Sequence, residues 1–256
     1  MGKSGQARRD VILRMLGESE RLEVAELTRH LGVSGMTIRR DLDELQQDGV
    51  LRRVHGGAVR RERSPFEIRR VARAEEKRRI AARAAALVAD GDSVGIDTGT
   101  TAHSVARALR GKRDLVVVTN SIHAAGEFQG PAQGTPGASA KVLLAGGVIA
   151  PDMCLVGALA VETIRRLHVN KLVLGCGGLT AERGFTYFDI EEAEVRRALL
   201  DIAESVIVVM DHTKFGRTET ISVARLEQVD VVVTDAEPPP PYPRLCRDSG
   251  VELVIA

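Results

Sequence analysis

Seven short runs of aliphatic and β-branched residues recur through the last three quarters of this 256-residue chain, at 93–97, 115–119, 141–145, 171–175, 206–210, 231–234 and 251–255. Helical stretches separate them. Strands that stay apolar without alternation must be covered on both faces, and strands joined through helices run parallel. The pattern therefore predicts an α/β domain on a mostly parallel sheet. Aromatic residues make up only 3% of the chain and Trp is missing, so its core must be aliphatic.

The first sixty residues follow a different period. Val11, Ile12, Met15 and Leu16, then Val24, Leu27 and Leu31, then Ile38, Leu42 and Leu45 recur at i, i+3, i+4 and i+7, which predicts three short helices. Gly32 suits a left-handed turn after the second, and Ser34 suits the cap of the third. That is a tight helix-turn-helix. Around the third helix, Met36, Arg40, Asp43 and Gln47 lie opposite the apolar face, with Arg39 on its flank. Arg can donate two hydrogen bonds to a guanine edge and Thr37 can meet a phosphate or a thymine methyl, so this face suits the major groove. Residues 49–59 read as a β-hairpin turning at Gly56-Gly57, a wing whose Arg52, Arg53 and His55 can reach phosphates. The expected DNA-contacting set is Ser34, Met36, Thr37, Arg39, Arg40, Arg52, Arg53 and His55. A purely structural three-helix domain would share the helical pattern but has no need of the basic outer face and the wing.

Charged residues at 60–65, ending in Ser-Pro, suit a linker, which puts a DNA-binding domain at 1–63 and a second domain at 64–256. Segments 126–139 and 237–243, rich in Gly and Pro, read as surface loops. In the second domain the turn Asp97-Thr98-Gly99-Thr100-Thr101 joins a strand end to a helix. Backbone N–H groups at a helix amino terminus favour an anion, and the two hydroxyls can add donors, although the same residues would serve to cap the helix. Further polar turns at 119–121, 146–147, 175–178 and 211–216 close other strands, and parallel sheets bind ligands beyond their carboxyl ends. Lys214 can meet a phosphate or sugar oxygen, while Asp97, Asn120 and Asp211 can hold hydroxyls; the alternative is that Asp211 and Lys214 only close a turn. The net charge of +1 argues against a chain that coats nucleic acid along its length. Cys154, Cys176 and Cys246 form no C-x-x-C pair, and we expect no metal, no resident cofactor and a reducing cytoplasm. No apolar run reaches membrane-spanning length.

Val33-Ser34, Thr37-Ile38-Arg39-Arg40-Asp41-Leu42, Leu45, Gly49, Leu51, Arg53 and His55-Gly56-Gly57-Ala58 together resemble the signature of DeoR/GlpR-type bacterial transcriptional regulators. The resemblance extends through Lys77, Ile80-Ala81, residues 97–101, Thr119-Asn120-Ser121, Gly146-Gly147, residues 155–157, 184–186 and 211–216. It implies an effector domain related in fold to ribose-5-phosphate isomerase, which binds phosphorylated sugars or similar metabolites and alters operator affinity, with many members repressors. It further implies a phosphate role for Gly99, Thr100 and Thr101, and ligand roles for Asp97, Asn120, Gly147, Asp211 and Lys214. The partners expected are double-stranded operator DNA, a phosphorylated sugar and further copies of the chain, since such regulators read repeated half-sites. Two departures stand out. Arg196 occupies a position where relatives often carry Lys, either as a redirected contact or as a solvated helix charge. Gly175-Cys176-Gly177-Gly178 stands where the isomerases carry an Asp-Gly-x-Asp turn, so the acids that a sugar-phosphate isomerase needs for proton transfer are missing. Glu191 and Glu192 remain nearby, on a helix where carboxylates are commonly solvated. The glycine turn at 175–178 also lacks the G-x-G-x-x-G pattern of a dinucleotide-binding dehydrogenase. We therefore expect a sensor, with an isomerase-like enzyme fused to a DNA-binding domain as the rival.

Overall fold

The computed structural model describes residues 5–19, 21–47, 50–60, 65–129 and 139–256. The chain divides into two compact units, Met1–Ala74 and Glu75–Ala256.

The first unit runs α1 (Gly5–Glu18), β1 (Arg21–Glu23), α2 (Val24–Leu31), α3 (Gly35–Gln47), β2 (Leu51–Val54), β3 (Gly57–Arg60) and α4 (Phe66–Val71). Ile12 and Leu16 of α1, Leu27 of α2, and Ile38, Leu42 and Leu45 of α3 meet in one core, as the helical spacing requires. The strands form an antiparallel sheet in the order β1-β3-β2. Ile68 of α4 buries in the same core, so the units part at Ala74 and Glu75 rather than after residue 63. The polar linker composition marks the chain's exit from the wing, but apolar burial by α4 sets the limit of the unit.

The second unit contains α5 (Ala74–Ala86), β4 (Ser93–Ile96), α6 (Thr100–Ala108), β5 (Leu115–Thr119), α7 (Ile122–Glu127), β6 (Ala140–Leu144), β7 (Val148–Ala150), β8 (Cys154–Val156), α8 (Ala158–Arg165), β9 (Val169–Gly175), β10 (Gly178–Thr180), β11 (Gly184–Tyr187), α9 (Ile190–Asp201), β12 (Ala203–Val209), β13 (Ile221–Ala224), β14 (Val231–Thr234), α10 (Tyr242–Asp248) and β15 (Glu252–Ile255). All seven apolar runs become strands of one sheet, ordered β15-β14-β12-β9-β4-β5-β6, with every pairing parallel. Successive residues feed opposite cores: in β9, Leu172 and Leu174 pack toward α8 and α9, while Val173 packs toward α5 and α6. The sheet is thus covered on both faces. Two small antiparallel sheets, β7-β8 and β10-β11-β13, interrupt the parallel pattern.

Strand β4 comes first in the chain, with β5 and β6 to one side and β9 to the other, so the order reverses between β4 and β9. Helices leaving two such neighbours fall on opposite faces and open a crevice at the carboxyl ends of the strands. Of the two expected loops, 126–139 starts inside α7, and residues 130–138 lie outside the described residues. Segment 237–243 runs into α10, and Pro238 and Tyr242 in it are buried rather than at the surface.

Candidate functional sites

In the first unit, Gly32 adopts φ +66°, and its N–H donates to the Thr28 carbonyl at 3.0 Å, ending α2. Ser34 begins the next helix: its Oγ accepts from Thr37 N at 3.2 Å and lies 2.9 Å from Thr37 Oγ1. A left-handed cap at Gly32 and the Ser34 cap two residues later make one tight turn from α2 into α3. Met36 is 73% exposed, and Arg39, Arg40, Asp43 and Gln47 are also exposed, while Ile38, Leu42 and Leu45 are buried. Asp41 faces inward beside them, where it accepts two hydrogen bonds from Arg8 of α1. The acid within the Arg39-Arg40-Asp41 run therefore clamps two helices. It also holds the Arg8 guanidinium protonated beyond its usual range, chiefly through the hydrogen bond. Residues 1–74 carry sixteen Lys and Arg against eleven Asp and Glu, so the near-neutral chain concentrates its positive charge here.

The wing turns at His55-Gly56, not at Gly56-Gly57. Gly57 is already paired with Val54, and Gly56 holds φ +77°. Gly57 is needed for a different reason: a Cβ there would sit 2.0 Å from the Leu22 carbonyl oxygen of β1. Arg52 and His55 are exposed. Arg53 instead spans the gap to α3, ion-paired with Asp43 and donating to the Arg39 carbonyl at 3.1 Å and the Gly57 carbonyl at 3.3 Å. Its own N–H donates to Gln46 Oε1 at 2.7 Å. Arg53 is a brace between wing and helix.

In the second unit, Asp97 lies at the end of β4, beside the reversal point, and is buried. Its Oδ2 accepts from Gly175 N at 3.0 Å and from Arg196 Nε at 2.9 Å. Arg196 is fully buried. It also donates to Thr98 Oγ1 at 2.6 Å and Glu192 Oε2 at 3.2 Å, and its guanidinium lies 3.5 Å from the Tyr187 ring centroid. Burial opposes its charge, but Asp97 and Glu192 outweigh that and hold it firmly protonated. Neither Arg196 nor Glu192 is a solvated helix charge; with Thr98 and Tyr187 they form a closed network under the Asp97 turn. Asp97 Oδ1 is buried with no hydrogen-bond partner among the described residues.

Gly99 stands at the N-cap of α6 with φ +98°, open space where a Cβ would lie, and no side chain capping the helix. By contrast, Ser121 caps α7 and Asp189 caps α9. Thr100 is buried and Thr101 half-buried. Beyond β12, the Asp211 carboxylate accepts from the N–H and hydroxyl of Thr213. Burial works against ionising Asp211, yet Lys214, these hydrogen bonds and Lys77 bring it below its ordinary 3.8. Cys176, after β9, has its thiol pushed up to about 12, mainly by burial, and feels the charges of Lys214, Asp211, Arg196 and Asp97. Gly175 N meets Asp97 Oδ2 at 3.0 Å and Cys176 Sγ lies 3.3 Å from Met210 Sδ, so the ends of β4, β9 and β12 lie side by side.

Asn120 follows β5 beside Asp97, and its buried Oδ1, like Asp97 Oδ1, has no hydrogen-bond partner among the described residues. Asn120 and Gly147 both lean on β8: Asn120 donates through Nδ2 to the Leu155 carbonyl at 3.1 Å, and a Cβ on Gly147 would lie 2.4 Å from the Val156 carbonyl oxygen. Thr119 and Ser121 are structural, through Thr119 Oγ1 to the Ile96 carbonyl at 2.6 Å and the Ser121 cap. Thr98, Lys77, Glu192, Arg196 and Cys176 enter the site without having been assigned to it. The i,i+4 spacing of Glu192 and Arg196 was visible, but not that both point inward. A cavity of about 720 Å³, lined by residues including Arg183, Arg225 and Tyr242, lies apart from all the residues expected to bind an effector. Among the described residues no helix is long and apolar enough to cross a membrane, and no cluster of three metal-ligating side chains occurs.

Residues 8–64 match the DeoR-like helix-turn-helix domain, and residues 72–236 match the DeoR C terminal sensor domain. The glycerol-3-phosphate regulon repressor of Escherichia coli (strain K12) is 31% identical over 252 residues, covering 97% of this chain and 98% of that protein. The HTH-type transcriptional regulator GolR of Listeria innocua is 32% identical over 254 residues, again covering 97% and 98%. Among solved structures, ribose 5-phosphate isomerase A from Methanocaldococcus jannaschii is similar over 54% of this chain and 53% of its own, with a TM-score of 0.38 and 16% identity.

Proposed function

The chain belongs to the DeoR family of helix-turn-helix transcriptional regulators, and from that membership we propose that it is a cytoplasmic repressor of carbohydrate-metabolism genes. A phosphorylated sugar sets its affinity for operator DNA. In this reading Met36, Thr37, Arg39 and Arg40 read the major groove, and Arg52 and His55 meet phosphates from the wing. Ser34 and Arg53 act chiefly by holding α3 and the wing in place. The effector's phosphate rests on the amino terminus of α6 at Gly99, Thr100 and Thr101, with Lys214 and Asp211 on the opposite side of the crevice.

The observation that carries the sensor reading is a pair of buried oxygens at adjacent strand ends, Asp97 Oδ1 beside the strand-order reversal and Asn120 Oδ1 next to it, neither with a hydrogen-bond partner among the described residues. Sugar hydroxyls supply the missing donors, since a buried acceptor left unmet costs about 1 to 3 kcal/mol. Asn120 and Gly147 shape the neighbouring wall through β8. The chain is not an enzyme in this reading. Asp97 and Glu192 are tied to Arg196, and a thiol pushed up to about 12 stays protonated and makes a poor base. Binding favours one of two arrangements of the regulator, and operator affinity follows by linkage. Two copies read paired half-sites.

The test is a thermal-shift screen of pentose, hexose and polyol phosphates, followed by operator titration with each hit. The double variant Thr100→Val/Thr101→Val should keep effector-free operator binding and lose the shift with every hit. A full response in that variant would refute the phosphate cradle, and turnover of any hit would revive the isomerase.

A further inference from the structure

Strand β7 is placed as few strands are. Among the described residues it pairs only with β8, on one edge, outside the seven-stranded sheet. Its partner β8 is wholly buried, whereas Val148 is 70% and Ile149 61% exposed. Successive strand residues point to opposite faces, so both faces of β7 are apolar and open to solvent. The strand carries no charge, Pro or Gly within Val148-Ile149-Ala150. Natural sheets blunt such edges with short strands, charges, Pro, bulges or cover; β7 is short and Pro151 follows it, but its exposed side chains are aliphatic, and an open apolar edge recruits another strand.

The surroundings extend the patch. Leu159, at the start of α8, is 61% exposed and lies against Gly146, where a Cβ would meet its Cδ2 at 3.3 Å. Leu144, at the end of β6, and Met153, in the turn between β7 and β8, are each more than two-fifths exposed. Together these five side chains leave on the order of 500 Å² of apolar surface, a size that marks interaction sites on soluble proteins. One side of a standard interface of about 800 Å², roughly two-thirds apolar in homodimers, requires a similar area.

We propose that β7 is the self-association surface of this chain: β7 of one copy pairs antiparallel with β7 of a second across a two-fold axis, with Leu144, Met153 and Leu159 packed around the seam. The inference rests on the paired reading of operator half-sites proposed above and adds where the pairing occurs. Antiparallel pairing of one strand with its own copy is two-fold symmetric, so a single open edge complements itself and the assembly closes at two. A foreign partner would need no such self-complementarity.

The full-length protein, its Val148→Lys/Ile149→Lys variant and an Ile149→Cys variant supply the test. Sedimentation over a concentration series should give a wild-type dimer, and the double-lysine variant should raise its dissociation constant by about tenfold or more. Both positions are exposed, so the melting temperature in the presence and absence of an effector hit should confirm intact sensor units. Ile149→Cys should form a dimer with a short bis-maleimide, above the background of the native cysteines. A wild-type monomer would overturn both the paired reading and this interface. A wild-type dimer unaffected by the lysines, or an Ile149→Cys variant that cross-links only within one chain, would overturn the interface alone.

Discussion

Arg196 has the largest fully buried side chain among the described residues, and its position shows how far a single residue can be read from sequence. Its departure from the family's usual lysine is legible; its partners are not, because Asp97 and Thr98 are brought to it from nearly a hundred residues away. A planar guanidinium meets three acceptors in different directions, a task an ammonium cannot copy. Replacing Arg196 with Met strands Asp97 and Glu192 without a counter-charge, and urea unfolding should show a loss of about 3 to 5 kcal/mol. Arg196→Lys should lose less. On the DNA side, two arginines on different elements divide the work, Arg40 on α3 and Arg53 on β2. Arg40→Ala should cost specific operator binding about 1 to 3 kcal/mol and relax preference at one base position. Arg53→Ala should weaken binding to specific and non-specific DNA alike, because it releases the wing from Asp43 and the Arg39 carbonyl. Titrations against operator and scrambled duplexes separate the two outcomes.

At the level of elements, the long signals were legible and the short ones were not. Seven apolar runs give seven parallel strands because two-sided burial writes itself into every residue of a strand. Strands β1, β7, β8 and β10 are three residues each, too short for any period to register. Gly57 illustrates the consequence: without β1 in view, its glycine reads as half of a turn, whereas its role is to let the Leu22 carbonyl pass. Gly56, at φ +77°, is the true turn residue. Gly56→Ala should cost about 1 kcal/mol in thermal or urea unfolding. Gly57→Val should cost more, because backbone rather than a flexible side chain must move, and it should separate β1 from β3. Gly147 follows the same logic: a Cβ there would lie 2.4 Å from the Val156 carbonyl oxygen, a close approach of β8 that the sequence does not announce.

For the whole molecule, acid stability carries a signature of the crevice. Asp211 is held below its ordinary 3.8, so its ionised form stabilises the folded state above that value, and the contribution disappears as pH falls through the depressed one. Melting temperatures of wild type and Asp211→Asn between pH 6 and pH 2 should therefore converge at the acid end. The reversal of strand order between β4 and β9 has a further consequence in time. The reading head lies wholly within the first 74 residues, but Asp97 waits 78 residues for the Gly175 amide and 99 for Arg196. At a synthesis rate of about 5 to 20 residues per second, that interval lasts about 5 to 20 seconds. A ribosome thus completes the reader well before the listener, and a message cut short between Ala74 and Gly175 encodes a whole DNA-binding unit with an unfinished sensor.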